Sequence, residues 1–405
     1  MKPIVRAERM KPVHSDIRGP LFVEAMKRQK QGIDILKLNT GNPATFGFGL
    51  PDSIKNALME HMQDGVGYCD FKGMPQARQA ICDYETSKGI KGITPDDVFI
   101  GNGVSEVVSF ALTPLLNDGD EVLVPSPSYS LWGNSVYLED GKPVFYTCDE
   151  QANWYPDIQD IRSKITDKTK AIVIINPNNP TGVLYPKEIL LEIIQVAREF
   201  GLLIFADEIY DRLVMDGKQH ISLASLTEDV PVITLNGLSK SHCLCGYRCG
   251  WMVISGPREL TEDYRQGIIQ LTSLRLCANT MAQIVIPAAL DDMATPASMV
   301  RPGGRIYEQR EATVRELEKI DGLSFVKNDA AFYVFPKLDV KKFNITNDKQ
   351  FAHDLLDATN ILLVPGSGFD WKDPDHFRIV MLPQADILSD AIRRMGTFLD
   401  GYKQK

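Results

Sequence analysis

The sequence has no continuous run of about twenty apolar residues, so it offers no membrane-spanning helix. Its start, Met1-Lys2-Pro3-Ile4-Val5-Arg6-Ala7-Glu8-Arg9-Met10, lacks the apolar core of a signal peptide. Cysteine is sparse: seven residues, an odd number scattered over 405, which predicts reduced thiols and a cytoplasmic location rather than a disulfide framework. Cys243, Cys245 and Cys249 crowd near His242, but they lack the paired Cys-x2-Cys spacing of a zinc knuckle, and no metal site is expected there. Basic residues are outnumbered, 44 Lys and Arg against 53 Asp and Glu. The resulting net charge of -9 repels phosphate backbones and anionic membranes, so neither nucleic acid nor membrane is an expected partner. A small acidic substrate would need a local basic site against that field. Internal repeats, low-complexity tracts and long linkers are also missing.

What remains is an ordinary globular composition, 44% hydrophobic and 24% charged, on a chain long enough for two or three domains. Four short runs in the middle are apolar on both faces and rich in branched residues: 121–124, 170–175, 202–206 and 231–235. Such runs suit strands buried between helix layers. Residues 186–200 have helical spacing with Pro186 at the start, and strand–helix–strand order implies a mostly parallel sheet. The last hundred or so residues differ. A polar helix over 305–319 precedes strand candidates at 332–335, 361–364 and 377–380 and a final helix, the pattern of a smaller α+β domain. The expected division is an N-terminal segment, 1–45, joining the small domain; a large domain, 46–300; and a small C-terminal domain, 301–405.

Polar residues cluster directly after the four strands. Pro125-Ser126-Pro127-Ser128-Tyr129 follows the first, and Asn176-Pro177-Asn178-Asn179-Pro180-Thr181-Gly182 the second. Asp207-Glu208-Ile209-Tyr210 follows the third, and Asn236-Gly237-Leu238-Ser239-Lys240 the fourth. Ligands of open α/β sheets bind beyond the carboxyl ends of strands, so these groups point to one site. Lys240, in an apolar and cation-rich setting, is expected to have a lowered pKa and to condense with an aldehyde cofactor. A carboxylate at 207 suits a protonated pyridine nitrogen, which makes the ring an electron sink. Arg378, inside the strand-like run Phe377-Arg378-Ile379-Val380, is costly to bury unless paired, as a structural ion pair or as a clamp on a carboxylate.

Asn179-Pro180-Thr181-Gly182, Asp207-Glu208-Ile209-Tyr210, Ser239-Lys240 and Arg248, in this order and spacing, resemble the class I/II aminotransferases of pyridoxal-phosphate (PLP) fold type I. The likeness spans essentially the whole chain, from Asn39-Thr40-Gly41-Asn42-Pro43 to Arg378. Within that family, Asp16-Ile17-Arg18-Gly19-Pro20, Gly67-Tyr68-Cys69-Asp70 and Asp375-His376-Phe377-Arg378 look most like the bacterial glutamate–pyruvate (alanine) aminotransferases.

The resemblance implies a set of roles. Lys240 would hold pyridoxal 5'-phosphate covalently. Asp207 would pair with the pyridine nitrogen, Tyr210 and Asn179 with the phenolic oxygen, and Tyr129 would stack on the ring. The phosphate would lie on Gly103, Val104 and Ser105, where a helix begins and exposed N–H groups favour an anion. Ser239 and Arg248 would add a hydroxyl and a charge, and Tyr68 would reach the phosphate across a homodimer interface, so that active sites are shared. Gly237 stands where many relatives carry serine. Arg378, with Gly41 and Asn179, would bind the α-carboxylate of amino-acid and 2-oxo-acid substrates. Arg18, in an N-terminal segment free to swing, would pair with the distal carboxylate of glutamate. The implied reaction interconverts alanine plus 2-oxoglutarate with pyruvate plus glutamate. Aminotransfer on aspartate, aromatic or branched-chain substrates, and C–S lysis, use the same core residues. A PLP-type transcription regulator would need an extra DNA-binding module, for which the likeness, beginning near residue 16, leaves no room.

Overall fold

The central strands form because runs of consecutive apolar residues fill most of their length. In Thr169–Ile175, Ile172 and Ile174 enter one core while Ala171, Val173 and Ile175 enter another. Leu203–Asp207 divides in the same way, Ile204 and Ala206 against Leu203 and Phe205. Alternate side chains face opposite ways along a strand, so both faces of this sheet are covered. One cover is the helix Lys187–Phe200, which buries Leu190, Ile193, Ile194 and Ala197 at the spacing of a single helical stripe. Each buried leucine or isoleucine contributes about 1.5–3 kcal/mol. Gly201, at φ 65°, ends that helix in the left-handed conformation that glycine adopts without penalty.

The computed structural model describes residues 2–405. Its main sheet has eight strands. In spatial order they are Val98–Asn102, Cys249–Ser255, Val232–Gly237, Leu203–Asp207, Thr169–Ile175, Glu121–Ser126, Lys142–Asp149 and Tyr155–Pro156. The five from Val232–Gly237 to Lys142–Asp149 are parallel, as expected. Cys249–Ser255 runs antiparallel to both of its neighbours, and Tyr155–Pro156 is antiparallel at the far edge.

Toward the C-terminus, Tyr333–Val334, Phe377–Val380 and Val364–Pro365 form a three-stranded antiparallel sheet. The helices Asp348–Thr359 and Ala385–Leu399 pack a separate core against it, with Phe351, Leu355, Leu388, Ile392 and Met395 fully buried. Leu36–Lys37 pairs in parallel with Ile361–Leu362, tying the N-terminal segment to this region. Among the described residues, no single helix is long and apolar enough to cross a membrane.

Behind the strand ends lies a buried network of charges. Lys88, which closes the helix Pro75–Ser87, places Nζ 2.7 Å from Glu85, 2.7 Å from Glu208 and 3.2 Å from Asp211. Asp211 also accepts from the Asn236 amide at 2.7 Å and the Tyr84 hydroxyl at 2.5 Å. Lys88 therefore holds the loop that follows Leu203–Asp207, and Asp211 links that loop to Asn236 near the end of the strand Val232–Gly237. Burial works against its charge, but Glu208, Glu85 and Asp211 outweigh it and hold the ammonium well above its ordinary pKa. Burial pushes Glu85 up, whereas at Asp211 burial is outweighed by Lys88 together with His220, the Tyr84 hydroxyl bond and Arg212, which keep the carboxyl low. Because the folded pKa of Lys88 exceeds the unfolded one, its contribution is whole below about pH 10.4 and is lost only as pH rises through the folded value. Lys88→Met leaves the buried carboxylates uncompensated and should cost about 3–5 kcal/mol at pH 7 in denaturant unfolding. The deficit should shrink as pH falls into the carboxylate range; a variant as stable as the parent at pH 7 would contradict this role.

Candidate active site

The carboxyl ends of the parallel strands open into a cavity of about 840 Å³. Its walls include Gly41, Val104, Ser105, Tyr129, Asn179, Asp207, Tyr210, Ser239, Lys240, Arg248 and Arg378 from the expected set, together with Arg18. Gly103 is the residue just before the helix Val104–Leu112, at φ 85°. Tyr68 is elsewhere: it is 84% exposed and lines a separate hollow with Cys277 and Asn279.

Lys240 follows Val232–Gly237 in one helical turn, Leu238–Ser241, and Nζ donates to the Gly41 carbonyl at 3.0 Å. The expectation of a lowered pKa fails. Burial does disfavour the ammonium, but the acidic groups of Tyr333, Cys245 and Tyr129 outweigh it and raise the lysine above its ordinary value, with Arg378 opposing. The surroundings of Nζ are more acidic in character than the cationic neighbours in the sequence suggest.

Asp207 ends its strand almost fully buried. Its carboxylate accepts from the Trp132 indole N–H at 3.1 Å and from the Ile209 backbone at 3.3 Å. Burial pushes its pKa up to about 6, with these donors resisting. A cationic N–H placed against it would restore full ionisation. The Tyr210 hydroxyl is buried 3.0 Å from that of Tyr333, and burial raises its pKa well above the usual phenol value.

The helix Val104–Leu112 presents its N-terminus beside Arg248. Arg248, at φ 55°, donates to the Cys245 carbonyl at 2.9 Å and to Ser105 Oγ at 3.2 Å. A Cβ at Gly103 would lie 2.3 Å from the Arg248 guanidinium, and one at Gly250 would lie 2.4 Å from Val104 N, so both glycines keep this cradle open. A Cβ at Gly237 would sit 2.6 Å from the Cys249 carbonyl oxygen, which explains why serine does not stand there.

Arg378 is 1% exposed, in the strand Phe377–Val380. It donates to Asn179 Oδ1 at 2.9 Å and to the Asn39 carbonyl. Its planes are covered by Tyr333 and Phe369, at 4.5 and 4.6 Å. Its Nε has no hydrogen-bond partner among the described residues, and no carboxylate pairs with it. Burial lowers its pKa. Of the two readings of a buried Arg378, the structural ion pair is therefore absent.

Arg18 lies in the turn Asp16–Arg18, which is fixed on several sides. Asn39 donates to the Ile17 carbonyl at 2.8 Å, Lys349 pairs with Asp16 at 3.2 Å, and His14 lies 3.0 Å from Asp370. The side-chain bonds to Asp16 and Asp370 raise His14 to about 9, keeping that pair ionic at neutral pH.

Trp132, Asn39, Cys245 and Tyr333 also shape the site, and sequence reasoning assigned them no role. Trp132 had a usable signal, a tryptophan three residues after Tyr129. Asn39 meets Arg378 through its backbone carbonyl, a contact that leaves no mark in residue type.

These residues fit pyridoxal phosphate. A buried lysine, a carboxylate in need of a cationic partner, and a helix N-terminus flanked by arginine are the donor and acceptor set of an aldehyde, a pyridinium and a phosphate.

Residues 33–392 match the family model "Aminotransferase class I and II". The chain is 49% identical to the glutamate–pyruvate aminotransferase AlaA of Haemophilus influenzae over 404 residues, covering 100% of both. An Escherichia coli aminotransferase crystal structure superposes with a TM-score of 0.98 at 46% identity, covering 100% of each chain. The alanine aminotransferase of Pyrococcus furiosus superposes with a TM-score of 0.93 at 40% identity, covering 98% of this chain and 100% of that one. The chain belongs to the class I and II aminotransferases.

Proposed function

We propose that this aminotransferase exchanges amino groups between alanine and 2-oxoglutarate, giving pyruvate and glutamate, and also runs the reverse exchange. The observation that carries the site reading is a buried Arg378 with no carboxylate partner on the wall of the cavity that also holds Lys240. The substrate pair rests on full-length likeness to glutamate–pyruvate aminotransferases.

Bound pyridoxal phosphate supplies an electron sink for the negative charge that develops at the substrate α-carbon. Lys240 Nζ would anchor it and would be the base that takes the proton from the substrate α-carbon. Asp207 holds the ring nitrogen protonated, and its burial beside Trp132 makes that pairing strong. Tyr210 and Asn179 would hold the ring oxygen. Asn179 spends Oδ1 on Arg378 and keeps its amide hydrogens free to donate. Gly103, Val104, Ser105, Ser239 and Arg248 would receive the phosphate, and Tyr129 would cover the ring. Arg378 orients the α-carboxylate by two parallel N–H bonds, with the carboxylate's fixed distance from the α-carbon setting the proton in reach of Lys240.

The working form is a cytoplasmic homodimer. Val66, Tyr68, Leu274 and Leu276 are exposed apolar side chains, and a second copy covering them would bring the partner's Tyr68 toward the phosphate cradle. The seven free cysteines suit a reducing compartment. The chain divides at about residues 45 and 300, with the first segment joining the small domain through the pairing of Leu36–Lys37 with Ile361–Leu362. Arg18 meets the distal carboxylate of glutamate from the fixed Asp16–Arg18 turn.

Four experiments test this reading. Borohydride reduction of the holoenzyme should abolish its visible absorbance and leave the label on Lys240 alone, and Lys240→Ala should lose transamination; native-rate transfer by that variant contradicts the assignment. In a panel of donors against pyruvate and 2-oxoglutarate, alanine and glutamate should lead. Arg18→Ala should raise KM for glutamate and 2-oxoglutarate at least about tenfold, the loss of one charge-assisted bond, and leave alanine unchanged. Equal effects on both substrates would remove Arg18 from the distal site.

A further inference from the structure

Tyr333 belongs to the strand Tyr333–Val334, whose pairing with Phe377–Val380 sets it opposite Val380. It is 2% exposed, yet it lines the active-site cavity. Its ring packs on Phe332, with centroids 4.8 Å apart, and covers the Arg378 guanidinium. Its hydroxyl lies against the backbone of Gly41, where an added Cβ would come within 2.3 Å of it. Gly41 also carries the carbonyl that accepts from Lys240. The phenol is therefore fixed by a strand, an aromatic neighbour and a glycine, with its hydroxyl 3.0 Å from the Tyr210 hydroxyl.

Two phenols in one hydrogen bond share the work unequally. Each has a single proton, so one must donate and the other accept. Were Tyr210 the donor, its proton would be spent on Tyr333 and none would be left for a group in the cavity. With Tyr333 as donor, the Tyr210 proton is free to face the cavity, and an oxygen that accepts becomes a better donor. Among the described residues, the Tyr333 hydroxyl has no other recorded hydrogen-bond partner.

We propose that Tyr333 is a positioning residue whose hydroxyl donates to Tyr210, aims the Tyr210 proton at the cofactor's phenolic oxygen and strengthens that bond. This rests on the reading that Tyr210 faces that oxygen. A donor at a phenolic oxygen favours its deprotonated form, so weakening the donor raises the pH at which the resting chromophore loses its proton.

The test is a spectrophotometric pH titration of the substrate-free holoenzyme for the parent, Tyr333→Phe, Tyr210→Phe and the double variant. Tyr210→Phe should raise the midpoint most. Tyr333→Phe, which removes one oxygen and keeps the ring over Arg378, should raise it by about 0.3–1 unit, the scale of one neutral hydrogen bond. The double variant should match Tyr210→Phe alone, because Tyr333 acts through Tyr210. With alanine, Tyr333→Phe should lower kcat and leave KM nearly unchanged. A midpoint unmoved by Tyr333→Phe while Tyr210→Phe moves it overturns the proposal, and so does a double variant whose shift is the sum of the two. A midpoint unmoved by Tyr210→Phe overturns the underlying placement of Tyr210 and the proposal with it. Gly41→Ala, which crowds the same hydroxyl without altering either tyrosine, should shift the midpoint upward; no shift counts against the proposal even if Tyr333→Phe does not fold.

Discussion

Arg378 is a buried cation whose hydrogen-bonding and stacking partners are all neutral. Asn179, the Asn39 carbonyl and two aromatic rings surround it, and no carboxylate answers its charge. Desolvating a guanidinium in this way costs stability unless a partner restores the lost hydration. The rest of the site is arranged around that debt. In the proposed function a substrate carboxylate restores that lost hydration, and in doing so brings the α-carbon to Lys240. The cost is borne by the folded chain in advance, so that binding and orientation occur in one event.

The scaffold that holds this arrangement follows from burying a parallel sheet on both faces. Apolar strands leave polar residues nowhere to go but the strand ends, and consecutive parallel strands present those ends on one edge. Asp207, Asn179 and Lys240 arrive there from three neighbouring strands. The Lys88 network braces two of these ends from behind, linking Asp211 to Asn236 through a side-chain bond. The small sheet supplies the opposite wall, where Arg378 and Tyr333 stand on paired antiparallel strands.

Much of this was legible in the residues. The four central strands, the helix over 187–200 and the strand around Arg378 carry plain periodic signals. The strands Val98–Asn102 and Cys249–Ser255 do not. Gly101 and Gly250 interrupt them, because the start of the Val104–Leu112 helix presses on Gly250 and Val107 on Gly101. Asp207 and Lys240 were found because carboxylate and amine chemistry have few uses at a strand end. Tyr333 was hidden inside an apolar run, where a tyrosine and a phenylalanine read alike. The raised pKa of Lys240 is not legible in its neighbourhood alone, since beside burial its largest cause is Tyr333, distant in sequence, with Cys245 and Tyr129 adding to it. Tyr68 does not reach the cavity of its own chain, and its position reads as functional only with a second copy in view.

The most direct measurement is the first half-reaction, alanine added to holoenzyme with no oxo acid and followed by stopped-flow absorbance, in the parent and in Arg378→Leu. If the buried guanidinium is the carboxylate clamp, the variant keeps the parent's resting spectrum but loses about 10²–10⁴-fold in the apparent second-order rate, the range for removing one partner of a buried charge pair. A variant with an unchanged spectrum and a parental rate would contradict the account.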